Sequence, residues 1–223
     1  MSELNKIALK IVSSGKGILA ADESNGTMTK RLSDVGINST PENRLAFREI
    51  LFSSEAMKKY IGGVILYDET IRQKTSAGKF VPDLISVSGA IPGIKVDTGA
   101  KNLANSPEEK ITEGLDDLRY RLKKYHELGA RFTKWRGVYS IGDKYPSKLA
   151  IKSNAHALAR YSALVQESGM VPIVEPEVLM DGDHSADICL NKTSEVIEKC
   201  FEELILHKVD LTGVILKPNM ILA

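Results

Sequence analysis

The sequence predicts an α/β fold built on a parallel sheet, and three observations predict it. Short apolar runs alternate with longer helical patterns along all 223 residues. The runs are apolar on both faces, as strands covered by helices on either side must be. The strand-plus-helix unit recurs about every 40 residues, too long for a minimal βαβ unit and suited to a (β/α)8 TIM barrel with elaborated loops. About six of the eight units are present, and a closed barrel of this kind takes about 250 residues. The expectation is a single barrel domain over residues 1–223, C-terminally incomplete, with two strand-helix units beyond Ala223.

The elements follow in order. Leu4, Ile7, Ala8, Ile11 and Val12 recur at helical spacing and Ser13, Ser14 and Gly15 stop them, giving an amphipathic helix and not a secretory signal. "GILAAD" (17–22) is the first strand. "ESNGT" (23–27) reads as a polar loop whose hydroxyls and amides suit a phosphate oxygen. "PENRLAFREILFSS" (41–54) is a helix, "GGVILYD" (62–68) the second strand, and "GIKVD" (93–97) the third, after a Pro-Gly turn. Ile111, Leu115, Leu118 and Leu122 predict a helix over about 107–128. "FTKWRGVYS" (132–140) is the fourth strand. A helix over about 146–167 follows, with Gly169 as its stop. "VPIVEPEV" (171–178) is the fifth strand, and a helix with Val196, Cys200 and Leu204 on one face leads to "GVILKPN" (213–219), the sixth.

Composition narrows the partners. A net charge of +1 with 26% charged residues offers no basic field for nucleic acid. No apolar run is long enough to span a membrane, so a small molecule is the leading kind of ligand. Cys189 and Cys200 lack metal-like spacing and read as reduced core thiols of a cytosolic protein. "DGDH" (181–184) lacks the rest of an EF-hand loop and reads as a polar turn. The four histidines do not fall on strand ends, where a metal-dependent lyase would need them.

Side chains alternate across a strand with period two, which makes the charges informative. Ala20 and Asp22 share a face of the first strand, Lys95 and Asp97 of the third, and Lys134 and Arg136 of the fourth. Glu175 and Glu177 share one on the fifth, and Ile215 and Lys217 on the sixth. Each charge sits at a strand's C-terminal end, where parallel α/β folds bind ligands. A lysine among cations and carboxylates points to covalent amine catalysis. Burial and nearby positive charge from Lys134 and Lys95 are expected to favour the neutral, nucleophilic amine of Lys217. Glu175 or Glu177 would donate the proton needed to lose water from a carbinolamine, and Asp22 would take a hydroxyl proton during C–C cleavage.

The stretches "GKGILAADES" (15–24), "GIKVD", "KWR" (134–136), "VPIVEPEVLMDGDH" (171–184) and "LKPNM" (216–220) resemble the class I fructose-bisphosphate aldolases, in that family's order. The resemblance implies a TIM barrel that reversibly cleaves fructose 1,6-bisphosphate to dihydroxyacetone phosphate and glyceraldehyde 3-phosphate through a lysine Schiff base. It implies no metal and no cofactor, a cytoplasmic homotetramer, and a phosphorylated sugar as partner. By the family pattern Lys217 is the Schiff-base lysine, Glu175 the acid/base and Glu177 its neighbour. Asp22 and Lys134 govern the C4 hydroxyl, and Arg136 organises the site. Ser24, Thr27 and Lys95 contact the phosphate at the aldehyde end. "TGAKNLANS" (98–106) departs from the family pattern, and the resemblance places the other phosphate's ligands on two further strands. The 223-residue segment alone is therefore expected to be a poor catalyst with two exposed sheet edges.

Overall fold

The computed structural model describes residues 1–223. In chain order its helices are α1 (Glu3–Ile11), α2 (Asn25–Ser33), α3 (Pro41–Phe52), α4 (Glu55–Tyr60), α5 (Asp68–Ile71), α6 (Val81–Val87), α7 (Leu118–Glu127), α8 (Lys148–Glu167) and α9 (Ala186–Leu206). Its strands are β1 (Gly17–Ala21), β2 (Ile61–Leu66), β3 (Ile91–Lys95), β4 (Gly99–Leu103), β5 (Ser106–Glu113), β6 (Phe132–Tyr139), β7 (Val171–Val178) and β8 (Ile215–Leu216). Six strands form one parallel sheet in the order β1-β2-β3-β6-β7-β8, and β4 and β5 pair separately as an antiparallel hairpin. β1 and β8 are the sheet's edges.

The sheet curls, as part of a (β/α)8 barrel does. β2 and β3 lie between β1 and β6, which would put side chains of β1 and β6 about 14 Å apart in a flat sheet. Lys134 on β6 nonetheless reaches Asp22, just past β1, at 3.0 Å. The outer face buries Val64, Leu66, Ile94, Trp135 and Val174 against the helices. On the inner face Ile65, Ile91, Phe132, Val171 and Ile173 form an apolar layer, capped by Ala8 and Ile11 of α1. Glycine makes that layer possible, because Gly63 and Gly93 leave room for the Phe132 ring. One step further along the strands the inner positions change to charged residues.

Three expectations need correction. Residues 107–128 are not one helix. Gly114 adopts φ +127, which side chains rarely tolerate, and splits the segment into β5 and α7. The "TGAKNLANS" stretch supplies β4, turning into β5 at Asn105 in the left-handed region. β5 is anchored by polar contacts. Glu109 is buried and accepts hydrogen bonds from Ser147 N and Oγ at the start of α8, while buried Asn154 accepts from Thr112 N and donates to Lys110 O. "ESNGT" is not a loop but the start of α2, capped by Ser24, whose Oγ accepts from Thr27 N. "GVILKPN" contributes only the two residues of β8, since Leu211–Gly213 form a 3-10 turn.

Candidate active site

The C-terminal ends of five strands meet on the inner face. Lys134, one inner position beyond Phe132, donates to Asp22 Oδ2 at 3.0 Å and lies 3.3 Å from Glu175 Oε2. The other Glu175 oxygen, Oε1, accepts a short hydrogen bond from Lys217 Nζ. Four residues far apart in sequence thus form one continuous chain, Asp22–Lys134–Glu175–Lys217. Asp22, Lys134 and Glu175 are buried. Lys217 differs from the expectation, because its side chain is 46% exposed. Glu175 holds its Nζ and Val174 O accepts from its backbone N at 2.9 Å. Asn219 pins the chain beyond it, accepting from Val178 N and donating to Thr193 Oγ1.

Burial alone would push the Lys134 ammonium down. Asp22 and Glu175 together outweigh that penalty and hold its pKa above the ordinary lysine value. Lys134 is therefore a fixed cation among two carboxylates. A raised folded value means that this pairing contributes stability below lysine's ordinary range and loses it as pH climbs through the raised value. The urea midpoint difference between wild type and Lys134→Met is expected to be largest near neutrality and to narrow toward pH 11. A difference that stays constant would remove the charge from the account.

The remaining expected residues fall into two groups. Arg136 pairs with Glu177 at 2.9 Å at the exposed rim, beside and not within the buried chain. Ser24, Thr27 and Lys95 line a cavity of about 270 Å³ with Asp22, Lys134 and Arg31, and Arg136 also reaches its wall. There the Ser24 and Thr27 hydroxyls lie 3.1 Å apart at the N-terminus of α2. Lys95 sits 3.4 Å from Asp97, whose carboxyl is pushed up by burial against the opposing pull of Lys95. Arg31 is absent from the expected set. It lies four residues after Thr27, on the same helical face, and is held by Glu23 at 2.5 Å. That signal is visible only once 25–33 is known to be a helix. Two hydroxyls, a helix N-terminus and cations around one cavity suit an anionic oxygen cluster such as phosphate.

The histidines stay off the strands: His126 lies on α7, His156 on α8, His184 before α9 and His207 at its end. Cys189 and Cys200 are free and buried, and burial pushes the Cys200 thiol up to about 12.

A family model described as fructose-bisphosphate aldolase class-I matches residues 3–223. The chain belongs to the class I fructose-bisphosphate aldolases. A probable class 1 aldolase of Xanthomonas campestris is 51% identical over 223 residues, covering 100% of this chain and 67% of the relative. Aldolase B of Gallus gallus is 52% identical over 221 residues, covering 99% of this chain and 61% of the relative. A solved aldolase of Plasmodium falciparum, in complex with TRAP and a small-molecule inhibitor, superposes with a TM-score of 0.97 at 45% identity. That match covers 99% of this chain and 64% of the solved one. The chain thus spans about two thirds of the length of these aldolases. No helix of this aldolase chain is long and apolar enough to cross a membrane.

Proposed function

We propose that this class I aldolase chain carries the Schiff-base machinery for reversible cleavage of fructose 1,6-bisphosphate. The observation that carries the reading is the hydrogen-bonded contact between Lys217 Nζ and Glu175, backed by Lys134 and Asp22. Lys217, as the free amine, attacks the C2 ketone and forms a carbinolamine. Glu175 gives a proton to the departing hydroxyl, which leaves as water, and an iminium remains. Asp22 accepts the C4 hydroxyl proton while the C3–C4 bonding electrons move into the iminium, giving an enamine and glyceraldehyde 3-phosphate. The Lys134 ammonium stabilises charge developing on the C4 oxygen. Protonation of the enamine at C3 and hydrolysis then release dihydroxyacetone phosphate and restore Lys217.

Ser24, Thr27, Lys95 and the newly located Arg31 hold the phosphate at the aldehyde end. Arg136 and Glu177 order the rim of the site. A cytosolic homotetramer acting in glycolysis or gluconeogenesis belongs to the same reading.

Borohydride reduction in the presence of dihydroxyacetone phosphate tests the proposal. The expected product is a secondary amine on Lys217, located by peptide mass analysis and absent from Lys217→Ala. A folded wild-type chain that gains no adduct, or gains it on another lysine, overturns the assignment.

A further inference from the structure

Away from the strand ends, on the outer layer of helices, one side-chain cluster serves nothing described so far. His156 projects from α8, while Glu203 and His207 lie one turn apart at the end of α9. Each offers a ligand atom, and the three atoms lie within 4.8 Å of one another. Glu203 is 5% exposed. Its carboxylate has only the two imidazoles within ion-pair distance, His156 Nδ1 at 3.2 Å and His207 Nδ1 at 3.8 Å. The nearby Lys199 ammonium is taken up by Glu202 at 2.6 Å. A buried carboxylate without a fixed cation is costly, and a metal ion would supply one.

We propose that His156, Glu203 and His207 form a zinc(II) site bridging α8 and α9. The donor chemistry selects the ion. Two imidazoles and a carboxylate suit zinc with one open position, and hard oxygen-seeking cations such as magnesium disfavour imidazole. His207 Nδ1–H donates to the Glu203 carbonyl at 2.8 Å and leaves Nε2 with its lone pair, so this ring must turn to bring Nε2 onto the ion. At His156 the ion takes the place of the hydrogen between Nδ1 and Glu203 Oε2, and that hydrogen moves to the ring's other nitrogen. Tetrahedral zinc sets its donors about 3.4 Å apart, so the donors close from a spread of up to 4.8 Å by rotation of the half-exposed His156 ring and of the His207 ring. The site joins the helix that follows β6 to the helix that follows β7. It takes no part in the carbon–carbon chemistry.

Calorimetric titration of the metal-free chain with zinc sulfate tests this. One ion should bind per chain, and affinity should fall at least about tenfold in both His156→Ala and His207→Ala, with no change in His126→Ala. Cobalt(II) should give visible absorption bands of a four-coordinate site, lost in the same two variants. Magnesium should show no saturable binding. Circular dichroism establishes that each variant is folded. Absence of a one-to-one zinc site in the wild type, or a site that survives both histidine substitutions, overturns the proposal.

Discussion

Glu175→Gln is expected to slow formation of the borohydride-trapped Lys217 adduct by about 10²–10⁴-fold, the usual worth of a positioned proton donor. Glutamine keeps the size of the side chain and its place beside Nζ, so the loss reports the missing proton and not a missing contact. Glu175 touches both lysines of the site, Lys217 through Oε1 and Lys134 at 3.3 Å through Oε2. It is therefore the one carboxylate in contact with the nitrogen proposed to form the imine. Asp22 contacts Lys134 and not Lys217. Asp22→Asn consequently serves as the contrast: with dihydroxyacetone phosphate, which has no C–C bond to cleave, it should trap at close to the wild-type rate. Adduct formation in Glu175→Gln at the wild-type rate would transfer the acid role to another group.

Gly62→Ala is expected to cost more than about 3 kcal/mol, beyond ordinary overpacking, and so to remove much of a typical domain's stability of about 5–15 kcal/mol. A Cβ at position 62 would fall inside the carbonyl oxygen of Ile11, with the carbonyl carbon only 2.8 Å away. The obstruction is backbone, at the last residue of α1, and cannot swing aside. Either β2 or α1 must move, and α1 is what closes the apolar inner layer. Gly63→Ala offers the comparison: there the nearest atom is Phe132 Cε1 at 3.0 Å, a side chain able to yield by a fraction of an ångström. Urea denaturation should rank wild type above Gly63→Ala and Gly63→Ala well above Gly62→Ala. Equal midpoints for the two variants would mean that α1 is not seated against β2 in solution.

Alternation of side chains makes most of the candidate site legible in the sequence. Period two places Asp22, Lys95, Lys134, Glu175 and Lys217 on one face; there Asp22, Lys134, Glu175 and Lys217 join in one chain of contacts, and Lys95 lines the adjoining cavity. The bounds of β7 are those of the run "VPIVEPEV" itself, because both of its faces are buried and turns flank it. What stays hidden depends on polar contacts with distant segments. Residues 106–113 carry helix-compatible spacing, yet they form a strand because Asn154 and Ser147 on another element satisfy their polar groups. α2 carries no strong apolar stripe, so its cap at Ser24 is the only cue, and Arg31 is missed along with it. β8 is an edge of the sheet, and a 3-10 turn at Leu211–Gly213 leads into it where a longer strand is expected. No hydrophobic pattern reports such a turn.

The curl of the sheet has a chemical consequence. Asp22 and Lys134 stand 112 residues apart in the chain with two strands between theirs in the sheet, and only bending brings their atoms within bonding reach. A perturbation that flattened this surface slightly would part the Asp22 carboxylate from the Lys134 ammonium while every helix stayed intact. α1 seats Ala8 and Ile11 on the apolar floor of the bend, packing that opposes such flattening.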